Sequence, residues 1–72
     1  MDKFTDSANE RIYLGDTVLF DEPMQIGATG VVEGVLVYNL YYKEYGFSTD
    51  TGGFLPYNLV KQQGISFFGV RV

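Results

Sequence analysis

The sequence predicts an all-β domain, built as a small barrel of five or six strands. Short β-favourable runs alternate with turns rich in glycine and aspartate, and no run has the length and period of an ordinary helix. Valines crowd residues 31–37, which is the strongest strand signal in the chain. Six tyrosines and six phenylalanines supply the large apolar side chains that a 72-residue domain without cysteine needs for its core.

Composition excludes several classes of function. The chain has no cysteine and no histidine, so disulfides, thiolate metal sites and the usual nucleophile–base pairs are absent. Nine acidic residues against five basic ones give a net charge of −4, which opposes nucleic acid and acidic membrane surfaces at long range. No apolar run approaches the roughly 20 residues of a membrane span, and no signal peptide is recognisable. We expect a cytoplasmic protein without a membrane partner, and the net charge disfavours nucleic acid as a partner.

The first third of the chain predicts an arm, a strand and a loop. Residues 1–10 are polar and unpatterned, which is typical of a flexible N-terminal arm. Residues 17–20 form a short strand with Val18 and Phe20 on its inner face. Pro23 ends that strand because proline cannot donate to a ladder, and we expect Met24 to be exposed in the long loop that follows.

The central strand is predicted over residues 30–37. Strict alternation of apolar and polar residues fails around Gly34. A β-bulge at that glycine would bend the strand and point Val32 and Val35 both into the core. The strand should end in a tight turn at Tyr38-Asn39-Leu40, with Asn39 in the left-handed conformation that asparagine tolerates.

A hairpin and a short helical turn complete the predicted barrel, which spans residues 11–64. Residues 41–48 alternate cleanly, which predicts Tyr45 and Phe47 in the core and Lys43 at its rim. Residues 49–53 have turn composition, so a short return strand follows. Pro56 should then begin a single 3₁₀ turn near residues 56–59.

Residues 65–72 form an apolar C-terminal strand or tail. Ser66, Gly69 and Arg71 alternate imperfectly with larger apolar residues, as in a strand that is exposed along one edge. Two interpretations remain open. The tail either closes the barrel beside the first long strand, or pairs with a second copy of the chain and makes a homodimer.

Short motifs resemble known families. The pattern Gly27-x-x-Gly30-x-Val32, followed by Tyr45-x-Phe47-Ser48 and Thr51-Gly52-Gly53, resembles the YorP-like family of small prophage SH3-like proteins. The stretch Ile12-Tyr13-x-Gly15-Asp16-x-Val18 is similar to that of YopX-type phage proteins, and the glycine pattern is similar to that of KOW-type modules. The resemblance implies an SH3-like barrel and a phage or prophage accessory protein in a bacterial cytoplasm. It implies no catalytic residue.

Catalytic and metal sites are not predicted. The carboxylates that could pair are Asp16, Asp21, Glu22, Glu33, Glu44 and Asp50. We interpret them as turn and surface residues, since they are dispersed along the chain. The turn at 49–51 offers a single carboxylate, whereas calcium takes about 6–8 oxygen ligands. The Gly27-Ala28-Thr29-Gly30 stretch lacks the lysine and helix of a P-loop. We therefore expect no enzyme, metal or cofactor.

Aromatic residues are the functional signal, because the chain has more of them than a small core can hold. We expect the core to be filled by Val18, Phe20, Val32, Val35, Tyr45, Phe47, Leu55 and Leu59. The predicted binding residues are chosen from the remaining large side chains: Tyr13, Met24, Tyr38, Tyr42, Tyr57, Phe67 and Phe68. Tyrosine is enriched at protein interfaces, so the sequence favours a protein-binding module with a host or phage partner. The alternatives are a KOW-like nucleic-acid or transcription-complex module, in which the rings would stack on bases, and tyrosines that merely cover the barrel ends.

Overall fold

A computed structural model describes residues 3–21 and 31–70, and this part of the chain is mostly β, as predicted. It contains seven strands in two antiparallel sheets and one short helix. The strands are β1 (Phe4–Thr5), β2 (Arg11–Ile12), β3 (Thr17–Phe20), β4 (Glu33–Asn39), β5 (Glu44–Thr49), β6 (Phe54–Pro56) and β7 (Phe67–Gly69), and the helix is α1 (Tyr57–Gln62). Met24 and the Gly27–Gly30 motif lie outside the described residues.

Five strands form the main sheet in the order β6-β5-β4-β3-β7, and β1 pairs with β2 in a separate two-stranded sheet. The central pair is the longest, with Leu36 opposite Phe47 and Tyr38 opposite Tyr45. The last strand returns to β3, where Phe67 lies opposite Phe20. The last of the five strands in sequence, β7, is therefore paired with the first, β3.

The core lies between the inner face of the main sheet, the small sheet and α1. Phe47 is at its centre, with ring centroids 5.6 Å from Phe20 and 5.2 Å from Phe67. The buried apolar residues are Ile12, Val18, Phe20, Val31, Leu36, Phe47, Leu55, Val60 and Phe67. Four of the predicted core residues, Val18, Phe20, Phe47 and Leu55, belong to this set, whereas Val35, Tyr45 and Leu59 are only half-buried.

The predicted orientation at the start of the central strand was wrong. Val31 is buried, whereas Val32 is 57% exposed. Alternation breaks at Val32 and Glu33, which are both exposed and whose N–H groups both donate to Asp50 Oδ1 at 3.2 and 3.4 Å. Gly34 itself pairs in regular register, so the irregularity lies before the glycine, where a carboxylate from a neighbouring turn satisfies two successive donors.

The turn between β4 and β5 also differs from the prediction. The left-handed residue is Lys43, with φ of 57°, and Asn39 belongs to β4. The Asn39 side chain accepts a hydrogen bond from Tyr42 N–H at 2.8 Å, so it closes the turn by a side-chain contact instead of by its own backbone.

Helix α1 replaces the predicted 3₁₀ turn near residues 56–59. It continues to Gln62 and buries Val60. Gly64 follows in the left-handed conformation, with φ of 70°. Gly64 N–H donates to Lys61 O, and Ile65 N–H donates to Val60 O, which is the hydrogen-bond pattern of a Schellman motif. The helix therefore ends just before Gly64, and it is longer than the single turn predicted over residues 56–59. Within the described residues, no helix is long and apolar enough to cross a membrane.

The segment at residues 3–10, expected as part of a flexible arm, is folded against the domain. Phe4 pairs with Ile12 and packs against the core. Asp6 is buried, and its carboxylate accepts N–H groups from Ala8, Glu10 and Gly69 at 2.9–3.0 Å. Residues 3–10 are therefore ordered in spite of their polar composition, because the side chains of Asp6 and Ser7 accept hydrogen bonds from backbone N–H groups.

Residues 67–69 of the C-terminal tail form a strand that pairs within the chain. Strand β7 pairs with β3 inside the same chain, and Phe67, which the sequence suggested as a surface residue, is fully buried. The outer edge of β7 is covered by the turn after β1. Ser7 N–H donates to Phe67 O, and Phe67 N–H donates to Ser7 Oγ, both at 2.9 Å. A second chain could pair along this edge only by displacing those contacts.

Candidate functional site

A row of four aromatic rings forms the most distinctive surface feature of the described residues. Tyr38 contacts Tyr45 with ring centroids 4.8 Å apart, Tyr45 contacts Phe4 at 5.0 Å, and Phe4 contacts Tyr57 at 4.9 Å. The Tyr38–Tyr45 and Phe4–Tyr57 contacts are edge-to-face, a geometry that stabilises aromatic pairs by about 0.5–1.5 kcal/mol beyond their buried area. The four rings therefore support one another.

These rings line a groove with a volume of about 340 Å³. We call it the aromatic groove, and its lining residues are Lys3, Phe4, Tyr38, Lys43, Glu44, Tyr45, Tyr57 and Asn58. They come from the N-terminal segment, the β4–β5 hairpin and the start of α1. The groove is thus assembled from three parts of the chain that are distant in sequence.

Backbone pairing holds each wall of the groove in place. Tyr38 and Tyr45 are directly opposite each other in the β4–β5 ladder, so their rings are neighbours by register. The Tyr57 hydroxyl donates to Thr5 O and accepts from Thr5 N–H, both at 3.0 Å. This pair of hydrogen bonds fastens the start of α1 to β1 and fixes the Phe4–Tyr57 contact.

Two of the three lysines of the sequence, Lys3 and Lys43, line this groove. Lys61 lies outside the lining, with Nζ 5.7 Å from the ring centroid of Tyr57 and 5.5 Å from that of the buried Phe67. Lys61 also donates to Thr5 Oγ1 at 3.4 Å. One acid, Glu44, is among the lining residues. A chain that is acidic as a whole therefore carries a locally cationic groove.

A second depression, of about 570 Å³, lies beside the β4–β5 turn. Here the ring of Tyr42 stacks on that of Phe54 at 5.6 Å and 12°, and Tyr41 contacts Tyr42 edge-on at 4.9 Å. Tyr38 lines this depression as well as the aromatic groove. No lysine or arginine is among its lining residues, so its chemistry is that of an apolar and hydroxyl surface.

The structure separates the predicted binding residues into different places. Tyr38 and Tyr57 line the aromatic groove, and Tyr42 lines the second depression. Tyr13 is exposed elsewhere, with the Arg11 guanidinium 4.7 Å above its ring. Phe68 is exposed on the outer face of β7, opposite Leu19.

Six groove residues were not predicted as binding residues: Lys3, Phe4, Lys43, Glu44, Tyr45 and Asn58. The alternation of residues 41–48 predicted that Tyr45 lies in the core and Lys43 at its rim. It did not predict that both residues line a surface groove. Phe4 carried a signal that could have found it, since it is the one large apolar residue between Met1 and Arg11. No local pattern marks Lys3, whose position follows from the pairing of β1.

Two of the carboxylates considered for catalysis, Asp16 and Asp50, accept backbone N–H groups. Asp16 Oδ2 accepts Tyr13 N–H at 2.9 Å, and Asp50 caps the start of β4. Within residues 3–21 and 31–70, no group of three or more acidic residues is placed to hold a metal ion. Asp16 and Asp50 therefore stabilise the local backbone through their side chains.

Comparison with known proteins gives no relative. No known protein family, no curated protein and no solved structure matches this chain.

Proposed function

We propose that this chain is a non-enzymatic accessory protein of a phage or prophage, which acts in the bacterial cytoplasm by binding a host or phage protein in its aromatic groove. The row of four touching rings carries the proposal. Tyrosine and phenylalanine are preferred anchors at protein interfaces because they bring a large contact area at low cost in side-chain entropy.

The rigidity of the groove favours binding. Tyr57 is held by two hydrogen bonds to Thr5, and Tyr45 is held between Tyr38 and Phe4. Side chains that are ordered before association lose little conformational freedom when a partner binds. Tyr38 remains 41% exposed and is therefore available for contact.

The fold we propose is an SH3-like barrel. The sheet order β6-β5-β4-β3-β7 supports it, because the last strand returns to the first strand of the five. Helix α1 lies between β6 and β7, at the place where a single 3₁₀ turn was expected. The proposed relationship to YorP-like and YopX-type phage proteins rests on the short motifs alone.

Nucleic-acid binding is the second candidate, and the two lysines that line the groove, Lys3 and Lys43, favour it. Single-stranded nucleic acid binds through cationic grooves with aromatic rings on which bases stack. The net charge of −4 opposes this function, since a long polyanion is repelled by the rest of the surface.

The experiment that tests the proposal compares two tyrosine variants in capture from a bacterial lysate. Tyr38→Ala removes an exposed groove ring, and Tyr13→Ala removes an exposed ring outside the groove. We expect wild type and Tyr13→Ala to retain the same protein, and Tyr38→Ala to lose at least about 1 kcal/mol of binding, or roughly a fivefold affinity. Circular dichroism verifies that both variants are folded.

Two results would contradict the proposal. Tyr38→Ala could retain the captured protein as well as wild type does, which would place binding elsewhere. Alternatively, the protein could capture RNA or DNA with an affinity that falls steeply with salt, which would favour the second candidate. Tyr57→Ala is a poor substitute for Tyr38→Ala, because the Tyr57 ring also packs against Phe47 and Phe67.

A further inference from the structure

We infer that the aromatic groove binds a short, extended acidic segment of its protein partner, with carboxylates facing the lysines and an apolar side chain against the rings. The inference rests on the proposed function and adds the chemical class of the ligand. It is carried by the distribution of charge around the groove and by the backbone conformation of Lys43.

Charge is segregated in this molecule. Two lysines, Lys3 and Lys43, and one acid, Glu44, line the groove. The described residues outside its lining carry six acids against Arg11 and Lys61. An acidic ligand is therefore attracted at the groove and repelled from the rest of the described surface. That pattern favours a short acidic segment over a long polyanion, because only the short one can meet the lysines without passing the acids.

Lys43 is the residue that best indicates a cationic role. Its φ of 57° is a left-handed conformation, which glycine or asparagine adopts more readily than lysine. Glycine or asparagine would therefore suit the backbone conformation of this turn better than lysine. We attribute the presence of a lysine to its side chain, which lines the groove beside Glu44 and Tyr45.

The size of the groove limits the ligand. Its 340 Å³ lies near the lower end of the range of roughly 300–1,000 Å³ for small-molecule pockets, so it accepts a few side chains and not a folded surface. The rings of Tyr38 and Phe4 offer the apolar contact, and the lysine ammonium groups offer charge-assisted hydrogen bonds to carboxylates.

The test measures fluorescence anisotropy with three labelled probes on the full chain. The probes are a peptide of glutamate and aspartate with one central leucine, its glutamine and asparagine analogue, and oligothymidylate. We expect wild type to bind the acidic peptide about tenfold more tightly than the amide analogue, with a preference that weakens as salt rises.

Two variants assign this preference to the groove. Lys43→Asn removes the cation and supplies a residue that suits the left-handed turn, so it should unfold at the same urea concentration as wild type or a higher one. We expect it to bind the acidic peptide about threefold to fivefold more weakly. Asn9→Asp is the matched control. It lowers the net charge by the same amount at another left-handed position, outside the groove lining, and should leave binding unchanged.

The outcomes separate the inference from the proposed function. Equal affinity for the acidic peptide and its amide analogue, with binding still lost in Tyr38→Ala, would overturn the acidic ligand and keep the groove. Equal weakening by Lys43→Asn and Asn9→Asp would also overturn it, because only net charge would then matter. Binding of oligothymidylate alone would overturn both the acidic peptide and the protein partner.

Discussion

Gly46 illustrates how a single residue controls the outer face of the sheet. It lies opposite Pro56, beneath the ring of Phe54, and a Cβ atom at this position would meet Leu55 O and lie 2.6 Å from Phe54 Cζ. The ring of Phe54 in turn stacks on Tyr42. The absence of a side chain at residue 46 is therefore what allows the Phe54–Tyr42 stack to lie flat on the sheet.

Gly46→Ala should destabilise the domain by about 1–3 kcal/mol, because the new methyl group overpacks a site bounded by backbone. Urea unfolding measures the change. Gly53→Ala is the control, since its Cβ would make an ordinary contact at 3.5 Å with Thr49 Oγ1. We expect the control to remain within about 1 kcal/mol of wild type. Equal effects of the two substitutions would contradict this account of Gly46.

At the scale of the element, the turn after β1 acts as the edge of the main sheet. Asp6 and Ser7 take the place of a further strand, since they satisfy the outward N–H groups of Gly69 and Phe67 with side-chain oxygens. Protecting an edge in this way prevents strand pairing with other chains. The same turn holds Phe4 in place, so protection of the edge and construction of the groove depend on one segment.

Asp6→Asn should weaken this element, because an amide N–H₂ replaces one oxygen of a carboxylate that accepts three backbone N–H groups. We expect a loss of about 1–3 kcal/mol in the free energy of unfolding, together with more self-association in sedimentation velocity. Asp21→Asn removes the same charge from an exposed position and should change stability by less than about 0.5 kcal/mol. If Asp6→Asn is as stable as wild type and self-associates no more than wild type does, the proposal that this turn protects the edge of the sheet is refuted.

The whole molecule depends on a small core that its last strand completes. A chain of 72 residues is expected to have a free energy of unfolding of about 4–11 kcal/mol, so a single large core residue is a substantial part of it. Phe67 contacts Phe20, Phe47 and Tyr57, which belong to three different elements. Strand β7 thus contributes packing to the entire domain.

Phe67→Ala should cost about 3–5 kcal/mol, which places the protein close to unfolding at room temperature. Phe68→Ala is the matched control. It removes the same side chain one residue later, from the outer face, where Phe68 is 40% exposed, and should cost about 1 kcal/mol or less. Thermal unfolding by circular dichroism distinguishes them, and comparable melting temperatures would show that the tail does not complete the core.

The sequence by itself determined the local features of this protein. Turn composition at residues 49–53 and the clean alternation toward Phe47 were sufficient to predict the β5–β6 hairpin and its core residue. The break in alternation before the central strand was also visible, but its position was not. Which of Val31 and Val32 points inward depends on Asp50, 18 positions beyond Val32, whose carboxylate accepts the N–H groups of Val32 and Glu33.

The tertiary structure alone decided the candidate site. Phe4, Tyr45 and Tyr57 meet because β1 pairs with β2 and because the Tyr57 hydroxyl binds Thr5, 52 residues away. Local propensity and periodicity report only on neighbours in sequence, whereas a groove is set by strand register and long-range hydrogen bonds. Local sequence therefore predicted the strands of the main sheet and the surplus of aromatic residues, and folding determined which of those residues would share a surface with Lys3 and Lys43.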